Sequence, residues 1–433
     1  MQLLAIPTIT PDENYQADWK KFTDYQKLVA KLYPRLSEVL DLKIFDHTPL
    51  YRWKGKSSES AVVLLAHYDV VPATDEGWLR APFVPVIEGE GAEAVLYARG
   101  TMDNKGAQVG ILEAVESLVA DGFIPQTDIY LAFGHDEESF GRGAQAVVKH
   151  LKEAGVNVRM VLDEGGAVAE EGFSGVNKPV AVIGVAERGL MTIKLTIEQQ
   201  GGHASTPPKS TTTDRISKAI LEINKHPMPA GLPKPVEDMV KKLGAAADSG
   251  VLKIAAKGLP ITRQLIISAL AKSTNESAAM IRTTIVCTMI NAGLAHNALA
   301  EKAEAVLNVR LNPGDTGDDV LTHLRKVIND KGVKIEEINR SEASVISSTT
   351  SKDWRTLEST VAEVFPEAIV TPYLVVGATD SRFFSEICDA VYRFSPLILS
   401  AEERATMHAK NEQVRVEHWL RAVEFFKTFI SRL

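Results

Sequence analysis

Acidic residues and histidines follow three apolar runs in the first half of the chain. The runs are AVVLLA (61–66), DIYLAFG (128–134) and VRMVL (158–162), and each is typical of a buried strand. The polar residues after them are His67 and Asp69, then His135, Asp136, Glu137 and Glu138, then Asp163 and Glu164. Imidazole and carboxylate groups bind metal ions and transfer protons, so this pattern indicates a metal or acid–base site.

Predicted helices separate these strands. Residues 15–40 favour a helix, and the segments 104–122 and 143–155 have apolar residues at helical spacing and end in glycine. Strands that alternate with helices predict an α/β fold with a mainly parallel sheet covered on both faces. Sites in such sheets form beyond the carboxyl ends of the strands. We therefore expect the polar residues to meet in one crevice with Asp103, which precedes the second helix.

The expected crevice holds more carboxylate groups than it could stabilise without a cation, and a metal ion is the simplest one. Each residue also has an ordinary structural explanation. His67 alone could be a core histidine and Asp103 a helix N-cap, while Glu137 and Glu138 could lie in a solvated loop and Asp163 in a turn. All of these explanations would have to hold at matched strand ends, which favours the metal site.

The pattern changes near residue 187. The segments 189–200 and 303–314 alternate apolar and polar residues, as strands with one wet face do, and residues 214–290 favour helices. We therefore predict a smaller α+β domain inserted into the first one. The predicted division is a catalytic domain of residues 1–186 and 342–433 and an inserted lid of residues 187–341.

Composition excludes some classes of protein. The chain has 433 residues, a net charge of −8 and 45% hydrophobic residues, which is ordinary for a soluble globular protein. No basic patch is present, so we expect no nucleic-acid partner. Cys287 and Cys388 have no metal-type spacing and are predicted to be small core residues, with a disulfide between them as the alternative.

No apolar run reaches the roughly 18 residues that a membrane span needs. The start, MQLLAIPTIT, is short and lacks a basic leader, so it is not predicted to be a signal peptide. The expected location is cytoplasmic if this start is native, and secreted or envelope-associated if a leader was removed.

Eight segments occur in the order seen in the M20 metallopeptidase family, which the chain resembles from about residue 4 onward. They are AHYDVVP, YARGTMDNKGA, GHDEES, LDEGG, GGHASTPP, NVRLNPG, GATDSRFF and MHAKNE. Within the family, GHDEES, LDEGG and GATDSRFF look most like the carboxypeptidase S branch. That branch includes enzymes that make and hydrolyse N-fatty-acyl amino acids.

The resemblance implies a pair of metal ions, usually zinc. Asp103 would bridge both ions, His67 and Asp163 would complete the ligands of one, and Glu138 and His408 those of the other. These side chains suit zinc, although cobalt or manganese could bind the same set. His408 lies in a loop-like segment and is identified only through the resemblance.

The resemblance also implies catalytic roles near the metal ions. Glu137 would be the general base that moves a proton from water to the leaving nitrogen. Asp69 lies two positions after His67 on a strand, so both side chains point to the same side, and Asp69 would orient the imidazole. A cis peptide bond is expected between Asp103 and Asn104.

The remaining predicted site residues lie in the later motifs. The family uses the histidine at His203 to stabilise the oxyanion, in many dimeric members within the partner's site. Asn297 and Arg310 match positions that hold the carboxylate end of the substrate, although NALA lacks the proline of the common family form at the first position. Gly377, through its backbone, and Arg382 are further candidates for substrate binding.

The predicted function is hydrolysis of the amide bond of a small substrate with a free carboxylate, as a dipeptidase or carboxypeptidase. N-acyl-amino-acid hydrolysis or synthesis is the alternative within enzymes, and an inactive metal-binding scaffold is the alternative from another class. Residues 228–280 are extra for the family and could enlarge the lid, line an acyl pocket, change dimerisation or simply pack on the lid. A homodimer through the lid is one expected assembly.

Overall fold

The structure is a computed structural model that describes residues 1–11, 16–171, 173 and 175–433, apart from the side chains of residues 251 and 252. The helices are α1 (Trp19–Leu32), α2 (Pro34–Val39), α3 (Lys105–Ala120), α4 (Arg142–Glu153), α5 (Thr212–Lys225), α6 (Lys234–Ala246), α7 (Gly250–Lys257), α8 (Leu259–Ser273), α9 (Asn275–Met280), α10 (Gly317–Ile328), α11 (Lys352–Val364), α12 (Ser381–Phe384), α13 (Ala401–Arg404) and α14 (Val416–Ser431). The predicted helix 15–40 is two helices, because Pro34 starts a new one, and its first residue lies outside the described residues.

In the part of the chain that the structure describes, the strands form four sheets. They are β1 (Asp41–Phe45), β2 (Thr48–Trp53), β3 (Ser57–His67), β4 (Val86–Glu88), β5 (Val95–Tyr97), β6 (Thr127–Gly134), β7 (Val158–Asp163), β8 (Val168–Ala169), β9 (Val180–Glu187), β10 (Gly189–Glu198), β11 (Gly202–His203), β12 (Thr284–Ala292), β13 (Ala298–Leu299), β14 (Lys302–Leu311), β15 (Lys334–Ser341), β16 (Ile369–Val375), β17 (Val391–Arg393), β18 (Ile398–Leu399) and β19 (Gln413–Arg415). Among the described residues, β4, β5 and β19 make one small sheet, and β11 and β13 another.

The large sheet carries the predicted strand ends. Its order is β1-β2-β6-β3-β7-β17-β9-β8-β18, with β16 also paired to β9. The pairs β3–β6, β3–β7, β7–β17, β9–β16 and β8–β18 are parallel. Helices α1, α3, α11 and α14 supply much of the hydrophobic core on one face, and α4 and α12 lie on the other. The predicted α/β fold with a mainly parallel sheet is confirmed.

A second, antiparallel sheet lies in the predicted lid. Its order is β12-β14-β10-β15, and alternate residues of β10 and β14 pack against α5 and α10. The prediction that residues 214–290 are mostly helical is wrong at its end, because β12 begins at Thr284. The segment TIVCTMINA contains β-branched residues and pairs with β14, and this pairing overrides any local helical tendency.

The extra segment of the predicted lid packs on the large sheet instead of on the four-stranded sheet. Side chains of α6 and α8 form one hydrophobic cluster with Tyr373, Leu374 and Val375 of β16. Val236, Met239, Val240 and Leu243 recur at helical spacing and give α6 a buried face, which packs against β16 beside β9. The division at residues 187 and 341 therefore remains a prediction, and helices α6 to α9 pack with the catalytic body.

Both cysteines are free. Cys388 is buried in the core beside α4, as predicted, while Cys287 is only half-buried on β12. Cys287 lies on an edge strand of the four-stranded sheet and only part of its surface is covered.

Candidate active site

Three neighbouring parallel strands bring the first site residues to one edge of the large sheet. β3 ends at His67, β6 ends at Gly134, and β7 ends at Asp163. His67 and Gly134 are paired in register, so the loop that carries Glu137 begins beside the imidazole. Carboxyl ends of parallel strands form the binding edge of such sheets, and the predicted crevice is found there.

Asp103 lies between two histidines. One of its oxygens, Oδ1, is 2.9 Å from His67 Nε2, and the other, Oδ2, is 2.6 Å from His408 Nε2. Glu164 Oε1 lies 3.2 Å from the first imidazole nitrogen, and Glu138 Oε1 lies 3.2 Å from the second. The structure thus contains two groups, each with one histidine and one glutamate, that share a single aspartate.

Burial and like charge perturb the acids of the crevice. Burial, acting together with neighbouring carboxylates, raises the pKa of Glu137 well above its ordinary value and the pKa of Glu164 to about 8. Burial also acts to raise the pKa of Asp103, but His408 and His67 hold it below its usual range. Hydrogen bonds to Asp103 and Glu138 raise the pKa of His408 to about 10. Without a cation, protons would have to balance this charge.

The donor set fits zinc. Each group combines an imidazole nitrogen with carboxylate oxygens, all within 4.8 Å of one another, and these are donors that zinc accepts. Glu138 Oε1 is buried and faces the same imidazole nitrogen of His408 as Asp103 Oδ2 does, which is a position suited to a shared metal ion. Both imidazoles face the shared aspartate through Nε2, leaving Nδ1 for other partners.

Asp69 contacts the far side of His67, as the strand spacing predicted. Its Oδ1 lies 3.3 Å from His67 Nδ1, and its backbone oxygen lies 3.0 Å from the same atom. The carboxylate also accepts hydrogen bonds from the backbone amides of Glu137, at 3.3 Å, and Glu138, at 3.2 Å. Asp69 therefore touches both the imidazole and the turn that carries the two glutamates, and the second contact was not predicted.

The structure does not bring Asp163 into the group of His67 and Asp103. Asp163 Oδ2 accepts a hydrogen bond from the backbone amide of Ser381 at 2.9 Å, and Oδ1 accepts one from the amide of Glu164. Glu164 occupies the expected place instead. Neighbouring residues at a strand end point in different directions, so only one of the pair can face the imidazole. The segment LDEGG contained both acids, but its pattern does not show their directions.

Glu412 is a buried residue that the sequence analysis missed. Its carboxylate accepts hydrogen bonds from the backbone amides of Gly100 and Met102, at 2.9 and 2.8 Å, and from Asp103, at 3.2 Å. It also pairs with Arg99 at 2.7 Å. Glu412 thereby ties the loop of Asp103 to the loop of His408. The motif MHAKNE ends with Glu412, and this position in the motif was the signal that could have identified the residue. The expected cis peptide bond between Asp103 and Asn104 is confirmed.

His203 and Asn297 lie together but apart from the two metal-type groups. β11 pairs with β13, and the amide of Ala204 donates to the backbone oxygen of Asn297 at 3.1 Å. His203 is exposed, and its Nδ1 accepts a hydrogen bond from the amide of Ser205 at 3.1 Å. Neither residue lines the cavity beside the metal-type groups in this chain.

Arg310 and Arg382 form a pair of cations without acidic partners in the described part of the chain. Arg310 Nε donates to Asn308 Oδ1 at 3.3 Å, and Arg382 donates to the backbone oxygen of Thr379 at 2.9 Å. Burial and then the charge of Arg382 lower the pKa of Arg310. Two guanidinium groups that repel each other would be stabilised by a carboxylate placed between them.

A cavity of about 410 Å³ opens beside the acids and continues between apolar side chains. Asp103, Glu137, Glu138, Glu164 and His408 line its acidic end, together with the backbone of Gly377. The apolar part is lined by Phe173, Val182, Val375, Leu397, Leu399 and Met407. A Cβ atom at Gly377 would meet nothing within 4 Å, so this backbone borders open space. The volume is in the range of small-molecule sites.

The sequence matches the family model described as peptidase family M20/M25/M40 over residues 63–432. The chain belongs to this family. M20 proteins are hydrolases that act on peptides and related amides, and the family implies the use of metal ions, usually zinc. The resemblance drawn from eight short motifs is therefore confirmed for the M20 family.

Relatives with both peptidase and acyl-amino-acid names match almost the whole chain. N-fatty-acyl-amino acid synthase/hydrolase PM20D1 of Xenopus tropicalis is 32% identical over 438 residues, covering 99% of this chain and 84% of the relative. Probable carboxypeptidase S-like 2 of Dictyostelium discoideum is 32% identical over 426 residues, covering 97% and 80%. Carboxypeptidase S of Saccharomyces cerevisiae is 27% identical over 482 residues, covering 99% and 82%.

Solved structures of the M20 family share the fold. The M20 family metallo-carboxypeptidase Sso-CP2 from Sulfolobus solfataricus superposes with a TM-score of 0.72 at 18% identity, covering 99% of this chain and 97% of that one. Human carnosine dipeptidase 1 superposes with a TM-score of 0.66 at 15% identity, covering 100% and 95%. Among the described residues, no helix is both long and apolar enough to cross a membrane.

Proposed function

We propose that this M20 protein is a di-metal amidohydrolase that cleaves small substrates with a free carboxylate, as a dipeptidase or carboxypeptidase. The observation that carries the proposal is the pair of histidine–glutamate groups that share Asp103. His67, Asp103 and Glu164 would hold one zinc ion, and Asp103, Glu138 and His408 the other. Cobalt or manganese could replace zinc with the same ligands. The ions would polarise the substrate carbonyl and acidify water.

Glu137 is the proposed general base. It lies in the acidic end of the cavity but in neither ligand group, and its Oε2 is 3.9 Å from His67 Nε2. From this position it accepts a proton from the attacking water and delivers it to the leaving nitrogen. Asp69 orients His67 and, through two backbone amides, fixes the turn that carries the base.

Asp163 is proposed as a supporting residue. Its two hydrogen bonds to backbone amides fix the start of α12 and the position of Glu164. The sequence prediction gave it a direct metal bond, and we now propose that Glu164 makes this bond. Because the two acids are adjacent in the chain, substitution of each one separately tests the assignment.

Arg310 and Arg382 are proposed to bind the free carboxylate of the substrate. They are near enough for the charge of Arg382 to lower the pKa of Arg310, and neither makes a salt bridge with an acid of the described residues. Gly377 supplies backbone beside the cavity, and Asn297 would add an amide contact when the lid closes. An anionic substrate would relieve the repulsion between the two guanidinium groups, because its carboxylate would pair with both of them.

His203 is proposed to act in the active site of a second copy of the chain. It is exposed and separate from the metal-type groups of its own chain. The outer edge of β12 makes no strand pairing among the described residues, and Val286, Met289 and Ile290 are exposed on it. An unpaired edge with apolar side chains is suited to a dimer through the lid, as the sequence analysis expected.

Co-expression of two inactive variants tests this arrangement. Glu137→Gln and His203→Asn chains with different affinity tags should each be nearly inactive alone. Isolated mixed dimers should recover about half the activity per dimer, because one of the two sites then has both Glu137 and the partner's histidine. Dimers that carry Glu137→Gln on both chains are the matched control. Mixed dimers with no more activity than this control would place His203 in the site of its own chain.

N-acyl-amino-acid hydrolysis or synthesis is the second candidate function. The observation that favours it is the set of apolar side chains that line the same cavity as Glu137 and His408. A fatty or aromatic acyl group would bury apolar surface there, while the amino-acid carboxylate reached Arg310 and Arg382. Tyr373 donates a hydrogen bond to Glu276 of α9 at the wall of this cavity, so the extra helical segment contributes to its lining.

A substrate panel separates the two candidates. Dipeptides and N-acyl amino acids of increasing acyl length are compared by kcat/KM on one sample whose metal content is also measured. The dipeptidase proposal expects the highest kcat/KM for dipeptides, and the second candidate expects kcat/KM to rise with acyl length. Blocking the substrate carboxylate as an amide should raise KM in either case. A protein that binds two zinc ions and hydrolyses none of these substrates would favour the inactive scaffold.

A further inference from the structure

Helices α7 and α8 carry an exposed apolar stripe. Ile254 is 72% exposed, Ile261 is 91% exposed and Leu265 is 73% exposed. The two helices meet at Gly258, whose amide donates to the backbone oxygen of Ile254 and whose own backbone oxygen accepts from the amide of Thr262. Ile261 and Leu265 are four residues apart in α8 and therefore share one face of that helix, and Ile254 is exposed on the adjoining helix α7.

The opposite face of the same helices is firmly packed. Leu259, Ile266 and Ile267 are buried in the hydrophobic cluster that includes β16. Arg263 reaches across to Glu237 of α6 at 3.1 Å. The helix pair is thus anchored to the catalytic body by this packed face. The exposed stripe is a separate apolar surface on the other side of the helices.

The surface around the stripe is basic. Residues 249–275 contain no aspartate or glutamate, although the chain as a whole has a net charge of −8. Lys253, Lys257 and Lys272 are exposed, and none of them lies within 4.0 Å of an acid in the described part of the chain. An apolar stripe flanked by unpaired lysines is the pattern of helices that lie in a membrane interface.

We propose that the outer face of α7 and α8, defined by Ile254, Ile261 and Leu265, docks on an anionic lipid bilayer. The apolar side chains enter the boundary between headgroups and acyl chains, and the three lysines contact anionic headgroups. A symmetric contact with a second copy would bring the same lysines of both chains together, which is unfavourable.

Docking would place the bilayer near the apolar cavity. α9 follows α8 directly, and its Glu276 lines the cavity. A substrate with an apolar group could then move between the lipid and the cavity. The docking itself does not depend on which amide the enzyme hydrolyses.

Vesicle flotation tests the proposal. The full chain, loaded with zinc, is mixed with vesicles of phosphatidylcholine alone or with about one-third phosphatidylglycerol, at low and high salt. We expect binding to the anionic vesicles, weakened by salt. The double variant Ile261→Ser, Leu265→Ser should lower the bound-to-free ratio about tenfold or more, and Lys253→Glu, Lys257→Glu should abolish the preference for anionic vesicles.

The matched control is Ile44→Ser, Leu420→Ser, which removes two half-exposed apolar side chains elsewhere on the catalytic body. It should bind like the unchanged chain. Hydrolysis of a soluble substrate, measured for every variant, reports whether the fold is intact. Equal binding by the stripe variant and the control, or no binding to anionic vesicles by the unchanged chain, would overturn the proposal. The proposal would also be overturned if the stripe variant bound vesicles like the unchanged chain but had a different oligomeric mass in solution. The stripe would then bind a second copy of the chain.

Discussion

Replacing Glu137 with glutamine should lower kcat by about 10²–10⁴-fold while both metal ions remain bound. The amide has nearly the size and shape of the carboxylate, so the turn held by Asp69 is retained. It cannot accept a proton at any pH used for the assay. Glu137 belongs to neither histidine–glutamate group, which is why the metal content should not change.

The pH profile gives this prediction a second measurement. Burial raises the pKa of Glu137 in the absence of metal, and bound cations would lower it again. A general base works only when deprotonated, so activity should rise with pH along the acidic side of the profile. In Glu137→Gln the residual activity should increase less steeply with pH on the acidic side, because residue 137 no longer titrates.

Glu138→Gln is the matched control, because it makes the same substitution of a carboxylate by an amide at the neighbouring residue. Glu138 lies 3.2 Å from His408 in the second group, so this variant should lose metal as well as activity. Metal analysis after dialysis separates the two cases. Unchanged kcat in Glu137→Gln, or an equal loss of metal in both variants, would contradict the division of roles between the adjacent glutamates.

Replacing Glu164 with glutamine should reduce the bound zinc from about two ions to about one per chain, with a corresponding loss of activity. Glu164 Oε1 is 3.2 Å from His67 Nε2, in the group that Asp103 shares with the second histidine. Asp163→Asn should keep both ions, because Asp163 is in neither ligand group and the oxygen of the asparagine side chain can still accept one of the two backbone hydrogen bonds. Metal stoichiometry and affinity are measured by titration of the metal-free protein.

The opposite result would restore the assignment made from the motif. If Asp163→Asn loses an ion and Glu164→Gln keeps both, Asp163 binds the metal. Glu164 would then face His67 only while no ion is bound. Loss of one ion in both variants would mean that the hydrogen bonds of Asp163 are needed to hold Glu164 in place. Thermal unfolding without metal shows whether either variant has lost stability for an unrelated reason.

Much of the large sheet could be predicted from the sequence. The strand predicted at 158–162 is β7, the helix predicted at 104–122 is α3, and the end of β3 at His67 follows from the change to polar residues. Short apolar runs that alternate with predicted helices are most simply explained as buried strands of one sheet. β12 was missed because the helical pattern before it was extended to residue 290, although the segment pairs antiparallel with β14, the next long strand of the chain.

The sequence by itself determined which residues can do the chemistry and, through motif order, the family. Only the tertiary structure decided which of two adjacent acids faces His67, because neighbouring side chains at a strand end point in different directions. It also decided that helices α6 to α9 cover β16, since an amphipathic helix shows that it has a buried face but not which surface it buries against. Glu412 joins loops from distant parts of the chain, and such contacts exist only after folding.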